Sequence, residues 1–264
     1  MRFLSSTRVL AAVLAFAIAA TSAVVFAQDF FGRRRRQPME VYGNVEYDAK
    51  LTFVRIRFDS GLGGYGRRGS RGEPPWAHDY PTADLHLMKI LEELTIASPR
   101  TDGSNVLTLD DPELFNYPIA YLSEPGLWSP TDEEAAGLRN YLLKGGFMIF
   151  DDFRGPDMAN LDRQMRRVLP EARWIPIEQT HPIFDSFFEI QNFHFGYYAQ
   201  EFGQETYYGL FEQNDVTRRL MAIAGHNQDL GEYWEYSDTG MIPIDLSNEA
   251  YKFGVNYFIY GLTH

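Results

Sequence analysis

Residues 131–152, with the sequence TDEEAAGLRNYLLKGGFMIFDD, contain a complete helix-to-strand unit. Thr131 and Glu134 have the spacing of a capping box, so a helix begins here, and two consecutive glycines provide its C-terminal stop. The apolar residues 147–150 follow directly and predict a strand that is buried on both faces. The strand ends at two aspartates. This order of elements is typical of an α/β fold.

The same alternation of strand and helix signals continues along the chain. From about residue 40 onward, short apolar runs alternate with stretches of helical periodicity, which favours βαβ units. We therefore predict one doubly wound, mostly parallel sheet with helices on both faces. The strands outside the first unit are expected near residues 53–58, 105–109, 119–122, 174–177 and 220–224. Alternating arginines in the run 53–58 predict a wetter face or an edge position for that strand.

Composition excludes several classes of chemistry. The chain has 264 residues and no cysteine, which rules out disulfides, thiolate metal sites and cysteine nucleophiles. Removing residues 1–27 takes away two of the 24 basic residues and none of the 36 acidic ones, which leaves a net charge of −14. This charge argues against nucleic acid as a partner.

Residues 1–27 have the pattern of a secretory signal peptide. A charged start precedes the apolar run 9–20, and Val25-Phe26-Ala27 forms a small-residue cleavage pattern. We expect cleavage after Ala27 and a periplasmic or cell-surface location. The alternative is an uncleaved N-terminal membrane anchor, because residues 9–26 approach the length that spans a bilayer.

Residues 28–49 form a basic leader that we expect to be disordered, ahead of one α/β domain over residues 50–264. The leader contains four consecutive arginines, which are either simply solvated or contact anionic lipid headgroups at a membrane surface. They are Arg33, Arg34, Arg35 and Arg36.

A glycine-rich loop after the first strand spells G-x-G-x-x-G over residues 61–66. In dinucleotide-binding folds the last glycine of this motif opens a helix whose N-terminus holds the pyrophosphate. Here residues 67–75 contain further glycines and two prolines, so no helix can begin. We expect a mobile loop and no nucleotide cofactor.

Polar residues follow two of the predicted strands. Asp151 and Asp152 end one strand, and Asn227 and Asp229 follow the next buried strand. The carboxyl ends of parallel strands meet at one edge of a sheet, where ligands bind. The two adjacent aspartates should point to opposite sides, so they are not expected to share a proton. The competing interpretation is that these carboxylates cap backbone donors of the next segments.

Histidines offer further candidates. His181 precedes a proline, and it either bonds the backbone of a turn or acts as a general base or metal ligand. The pair His78-Asp79 is reminiscent of the metal-binding pair of HD phosphohydrolases. That chemistry needs a helical bundle and further ligands, so we do not expect it here. Asp79 is instead expected to be the N-cap of the next helix, with Pro81 in its first turn.

Residues 187–211 contain ten aromatic residues without a clean period. We expect an irregular insertion whose rings fill the interior or are covered by a partner. The alternative is an exposed array that stacks on sugar rings.

Several short motifs in order resemble the bacterial family catalogued as domain of unknown function 4159, over about residues 50–262. The resemblance implies a fold similar to class I glutamine amidotransferases and flavodoxin-like domains, in envelope or exported proteins, and it implies no established reaction. The amidotransferases need a cysteine nucleophile, so their activity is not carried over. The motifs are Trp76 with Asp79-Tyr80-Pro81, Asp111 to Pro118, Glu133-Glu134 with Leu138-Arg139 and Tyr141-Leu142, Gly145 to Asp152, His181-Pro182-Ile183-Phe184, and Asn227 with Asp229-Leu230-Gly231.

Three functions are open at this point. The first is a non-catalytic envelope module that binds a small ligand or a protein. The second is a metal-assisted hydrolase that uses Asp151 or Asp152 with His181 and Asp229, around Mg, Mn or Zn. The third is glycan binding through the aromatic insertion. The candidate ligand-binding residues are Trp76, Asp79, Asp151, Asp152, His181, Asn227 and Asp229.

Export predicts a defined amino terminus for the mature protein. Because the cleavage pattern ends at Ala27, we expect mass spectrometry of the native protein to give a chain that begins at Gln28. An intact Met1 in the membrane fraction would contradict cleavage and support the anchor.

Overall fold

Seven strands form one mixed sheet in the computed structural model of the protein, which describes residues 41–60, 74–196 and 199–264. The strand order is β2-β1-β3-β4-β7-β6-β5. The first five strands in this order run parallel, β6 is antiparallel to β7, and β5 is antiparallel to β6. The strands are β1 Val54–Ile56, β2 Asn105–Leu107, β3 Ile119–Ser123, β4 Phe147–Phe153, β5 Trp174–Pro176, β6 Thr206–Phe211 and β7 Leu220–His226.

The helices of the described residues cover the sheet and confirm the predicted doubly wound α/β class. Helices α1, α5 and α6 contact one another and build the main core with alternate residues of β3 and β4, such as Tyr121 and Ile149. The residues between these alternate positions point to the other face. The helices are α1 Thr82–Leu94, α2 Asp132–Leu143, α3 Asp157–Val168, α4 Ala199–Phe202, α5 Leu230–Glu235 and α6 Ile244–Thr263. Within the described chain, none of them is both long and apolar enough to cross a membrane.

The α2–β4 unit forms as its sequence predicts. Thr131 Oγ1 accepts a hydrogen bond from the Glu134 N–H at 3.1 Å, and the Glu134 carboxylate accepts one from the Thr131 N–H at 2.8 Å. The strand that follows is longer than predicted, because β4 continues to Phe153 and includes both aspartates at its end. All seven residues of β4 are buried.

The compact unit begins at Tyr42, earlier than the predicted domain boundary at residue 50. Asn44 exchanges two hydrogen bonds with the backbone of Val106, and the Val45 N–H donates to Asn105 Oδ1 at 2.8 Å. These contacts attach residues of the predicted leader to β2. The predicted signal peptide, the four arginines and residues 61–73 of the predicted glycine-rich loop lie outside the described residues.

The aromatic segment at residues 187–211 contributes to the interior. Phe193, Phe195 and Tyr207 pack around Phe253 of α6, and the rings of Tyr207 and Phe253 stack with centroids 5.2 Å apart. The expectation of an irregular segment is wrong for its last residues, which form β6. These residues form a strand because their backbone pairs with β7. The sequence has no clear alternation of apolar and polar residues here, so periodicity alone did not predict the strand.

Arg55 of β1 is fully buried, so the predicted wet face or edge position is wrong for it. β1 lies inside the sheet, between β2 and β3. The Arg55 guanidinium forms an ion pair with the buried Asp84 of α1, with Nε 3.1 Å from Oδ1. It also donates to the carbonyls of Trp76 and His78 at 3.2 and 2.8 Å. Satisfying these donors makes burial of the charge tolerable.

Removal of one partner from this pair should destabilise the protein strongly. Arg55→Met leaves the Asp84 carboxylate buried without its cation, and we expect a loss of about 3–5 kcal/mol in the free energy of unfolding, measured by urea denaturation. The double variant Arg55→Met, Asp84→Leu should lose less than Arg55→Met alone. As a control, Arg166→Met breaks a surface pair with Asp162 and should cost less than about 1 kcal/mol. An equal, small loss in both single variants would contradict the structural role of the pair.

Candidate functional site

The candidate site lies at the carboxyl edge of the parallel strands. Strands β1, β3, β4 and β7 run in one direction, so the segments that follow them meet at this edge. The chain passes from β1 to β2 on one side of β1 and then to β3 on its other side, which makes β1 and β3 the topological switch point. The segment after β1 contributes His78 and Asp79. The ends of β4 and β7 contribute three more carboxylates.

Asp151 joins two strands and a helix. Its Oδ2 atom accepts hydrogen bonds from the Tyr121 hydroxyl at 2.8 Å and from the N–H groups of Leu230 and Gly231 at 2.9 and 3.1 Å. Burial raises the pKa of Asp151 to about 6, against the opposing effect of these donors. The capping interpretation is therefore right for Asp151, which holds the first turn of α5 against β4.

Asp152 points to a different set of partners from Asp151. Its backbone has φ +54°, in the left-handed region that few residues other than glycine adopt, next to an irregularity in the β4–β7 pairing. Its Oδ2 lies 2.6 Å from His78 Nδ1, and its Oδ1 accepts from Arg154 Nη2 at 2.6 Å. Burial opposes ionisation, but the His78 hydrogen bond and the nearby positive charges hold the pKa of Asp152 below its usual value.

Asp229 combines a capping role with a place beside Asp152. Its Oδ1 accepts from the Glu232 N–H at 3.0 Å, which caps α5, and its Oδ2 lies 3.9 Å from Arg154 Nη2. Asp229 also hydrogen bonds to Asp152. Burial, and then the Asp152 charge, raises the pKa of Asp229 well above its usual value.

His78 is the main cation facing these carboxylates. Burial alone would favour the neutral ring, but the hydrogen bond to Asp152 and the charges of Asp79 and Asp152 raise the pKa of His78 to about 11. The ring is therefore protonated at neutral pH. Its side chain is 29% exposed, so it borders solvent.

Asp79 has no hydrogen-bond partner for either carboxylate oxygen among the described residues, although its side chain is fully buried. Its backbone is left-handed, with φ +64°. The nearest cationic atom is His78 Nδ1, 3.7 Å from Asp79 Oδ2. The predicted N-cap role is wrong, because α1 begins after Pro81 and only the Asp79 carbonyl accepts a bond, from the Ala83 N–H. Burial raises the pKa of Asp79 well above its usual value.

We call His78, Asp79, Asp152, Asp229 and Glu232 the edge cluster. It contains two overlapping groups of three whose ligand-type atoms lie within 4.8 Å of one another. The first group is His78, Asp152 and Asp229, and the second is His78, Asp79 and Glu232. Oxygen and imidazole atoms at this spacing are a suitable donor set for a divalent cation.

Residues 64–262 match the family described as "Domain of unknown function (DUF4159)". The chain belongs to this family. The match includes every residue of the edge cluster, so the cluster is part of the DUF4159 domain. No curated protein matches the sequence.

Four of the seven candidate residues in this DUF4159 domain lie together. Asp79, Asp151, Asp152 and Asp229 meet at the carboxyl edge, as the topology of a parallel sheet predicts. Trp76 and Asn227 serve the surrounding structure. The Trp76 side chain is buried and its carbonyl accepts from Arg55. The Asn227 amide bonds the backbone of Gly155, Phe202 and Gln204 and so joins two loops.

His181 does not join the edge cluster, and the prediction that it shares a site with Asp152 is wrong. Its ring packs on Phe211, which pairs with the first residue of β7, and on Tyr260, which contacts the first residue of β4. His181 therefore lies at the amino edge of these strands. Its Nδ1 accepts from the Ile183 N–H at 3.2 Å, and burial lowers its pKa. The backbone-bonding interpretation was the right one.

Sequence reasoning missed His78, Arg154 and Glu232. The adjacent pair His78-Asp79 was a usable signal, but it was compared only with a helical-bundle enzyme class. Glu232 and Arg154 gave no signal in the sequence. Each is a charged residue a few positions after an aspartate, which is common on any helix or loop. Only the approach of α5 to β4 brings them to the same place.

Two surface cavities of the DUF4159 domain are separate from the edge cluster. One, of about 360 Å³, is lined by residues including Leu143, Leu169 and Met221. The other, of about 440 Å³, lies between α1 and α6 beside Ile90 and Tyr251. Neither cavity is lined by a residue of the edge cluster, so the two apolar cavities are separate from the candidate site.

His78 should make the stability of the protein depend on pH. Its pKa is about 11 in the folded state and about 6.5 in an unfolded chain. The stabilisation is complete below pH 6.5 and is lost as the pH rises toward 11, because the unfolded state releases the proton first. Urea denaturation between pH 7.5 and 9.5 should therefore show a smaller loss of stability in His78→Gln than in the wild type.

His181→Gln is the matched control for this measurement. The lowered pKa of His181 means that it is neutral in both states over this range, so this variant should keep the wild-type pH dependence. Identical slopes for His78→Gln and the wild type would contradict the charged His78–Asp152 interaction.

Proposed function

We propose that the protein is an exported, non-catalytic binding module that holds a small polar ligand at the edge cluster. The observation that carries this proposal is the Asp79 carboxylate, which is buried and has no hydrogen-bond partner among the described residues. An unsatisfied buried carboxylate costs free energy. A bound ion, water or ligand is one way in which such a group is satisfied.

Backbone strain at the same edge supports the proposal. Asp79, Asp152 and Asn227 all have φ between +54° and +64°. Left-handed backbone at residues other than glycine is costly and is concentrated at sites where a side chain must be aimed at a ligand. Asp152 is the penultimate residue of β4, Asn227 directly follows β7, and Asp79 lies in the segment between β1 and α1. The strain therefore lies around the edge cluster.

The electrostatics favour binding over proton-transfer chemistry. His78 has a pKa of about 11, so its ring holds a proton at neutral pH and is unsuited to act as a general base. Both oxygens of Asp152 already accept hydrogen bonds. The class I glutamine amidotransferases, whose fold the sequence leads us to expect, use a cysteine nucleophile. This chain has no cysteine, so that reaction is not available to it.

A metal-assisted hydrolase is the second candidate. The observation that favours it is the His78, Asp152 and Asp229 group, which has metal-ligand spacing and takes the place of the His181-containing set. In such an enzyme a bound cation would lower the pKa of a water molecule and supply the nucleophile. Glycan binding has less support, because rings such as Phe195 and Tyr207 are packed in the core.

The location and partners belong to the same proposal. The signal-like residues 1–27 support export, and Arg33 to Arg36 support contact with anionic lipid at a membrane surface. The net negative charge of the remaining chain argues against nucleic acid as a partner. The ligand is then a small molecule or ion, or a polar group of another envelope protein.

Asp79→Asn separates ligand binding from folding. Asp79 accepts no side-chain hydrogen bond, so removing its charge should leave the ligand-free melting temperature unchanged or raise it by a few degrees, about 2–4 °C per kcal/mol. In a thermal-shift screen of small polar compounds and ions, the wild type should be stabilised by at least one of them, by mass action. Asp79→Asn should lose that stabilisation.

Glu133→Gln is the matched control, because Glu133 is an exposed acid on α2, outside the edge cluster. It should respond to the ligand as the wild type does. A stabilising compound that acts equally on Asp79→Asn would contradict the proposed site. Conversion of the compound to products, followed by mass spectrometry, would favour the hydrolase.

A further inference from the structure

We propose that His78, Asp79 and Glu232 bind one divalent transition-metal cation, with Mn²⁺ or Zn²⁺ as the favoured ions. This inference rests on the proposed function, because it names the ligand of the same site. Each of the three side chains offers one ligand atom, and these atoms lie within 4.8 Å of one another.

Burial gives the three groups complementary roles. Asp79 is buried at the base of the group, and neither of its oxygens is used by a hydrogen bond from the described residues. His78 and Glu232 are half-buried and border solvent. An ion can therefore approach from the solvent side and reach a carboxylate whose lone pairs are available.

The alternative group, His78 with Asp152 and Asp229, is already occupied by protein contacts. Asp152 uses one oxygen for His78 and the other for Arg154. Asp229 uses Oδ1 to cap α5 and hydrogen bonds to Asp152. A cation there would have to displace these bonds, whereas the Asp79 carboxylate accepts no hydrogen bond from the described residues.

The local charge favours a cation beside Asp79. Arg154 lies next to Asp152 and Asp229, at 2.6 and 3.9 Å. Arg55 is paired with Asp84. Among the described ion pairs, the Asp79 carboxylate has only His78 within 4 Å. Charge near buried carboxylates is compensated by pairing or by metal coordination.

Asp152 has the position of a carboxylate that orients a ligating histidine. Metal-bound histidines usually donate the N–H of their second ring nitrogen to a carboxylate or carbonyl. Here Asp152 Oδ2 lies 2.6 Å from His78 Nδ1, and Arg154 in turn holds Asp152. This contact fixes the orientation of the imidazole. A cation bound by the ring takes the place of one ring proton, because the ring is protonated at neutral pH.

The donor set selects the class of ion. One imidazole with two carboxylates suits Zn²⁺ and Mn²⁺. Ca²⁺ takes six to eight oxygen ligands, and Mg²⁺ keeps most of its waters and rarely uses imidazole, so both should bind more weakly. The absence of cysteine from the chain excludes a thiolate site for a softer ion.

The test is metal titration of the purified protein after removal of metal with EDTA and dialysis. Isothermal calorimetry and elemental analysis should show one Mn²⁺ or Zn²⁺ per chain. Asp79→Asn and Glu232→Gln should each weaken this binding at least tenfold. Glu133→Gln and His181→Gln should bind as the wild type does, which separates the site from surface acids and other histidines. Circular dichroism of each variant checks that it is folded.

Two results would overturn the inference. The first is the absence of saturable binding of Mn²⁺ and Zn²⁺ by the wild type. The second is unchanged affinity in folded Asp79→Asn. An organic compound could stabilise the wild type in the presence of EDTA but fail to stabilise Asp79→Asn. In that case the proposed binding function stands without the metal. If neither ions nor compounds bind, both proposals fail.

Discussion

The geometry of the edge cluster depends on the carboxylate of Asp151. One of its oxygens accepts hydrogen bonds from the Tyr121 hydroxyl of β3 and from the first two N–H groups of α5. Without this acceptor those N–H groups would be buried and unsatisfied. The contact sets the distance between α5 and β4, and α5 carries Glu232 while Asp229 caps it. It also places Gly231 against Asp79 Oδ2 and the Tyr121 hydroxyl so closely that a Cβ atom at this position would clash. The positions of Asp229 and Glu232 therefore depend on this contact.

Two groups of buried charges in this protein behave in opposite ways. Arg55 and Asp84 form a matched pair whose remaining donors reach backbone carbonyls, so their burial is compensated and specifies how α1 packs on β1. The edge cluster has more carboxylates than cations, raised pKa values for Asp79 and Asp229, and left-handed backbone at Asp79 and Asp152. The excess of buried carboxylates and the left-handed backbone of the edge cluster lower the stability of the fold unless a bound cation compensates the negative charge. The contrast between this fully satisfied ion pair and the Asp79 carboxylate, which accepts no hydrogen bond from the described residues, is what motivates the proposed ligand.

The sequence located part of this site for a physical reason. Strand periodicity identified the ends of β4 and β7, and parallel strands end at one edge, so Asp151, Asp152 and Asp229 were placed together correctly. The same reasoning failed for His181, because the segment that follows β5 turns back and packs the His181 ring on Phe211 and Tyr260 at the amino edge. It failed for Arg55 as well, since alternating charge predicts a wet face and carries no information about a buried partner 29 residues away.

The sequence by itself determined the class of the fold, the family, the capping box of α2 and the strands whose ends form the site. These features depend on contacts between residues close in the chain, or on periodicities that local backbone geometry imposes. The tertiary structure alone decided which histidine faces the carboxylates, which aspartate caps a helix and which carboxylate accepts no hydrogen bond from the described residues. Those outcomes depend on the approach of segments about 75 to 150 residues apart, His78 to Asp152 and Asp79 to Gly231. A local sequence pattern does not predict these contacts, because the burial and hydrogen bonding of a side chain depend on which distant segments pack against it.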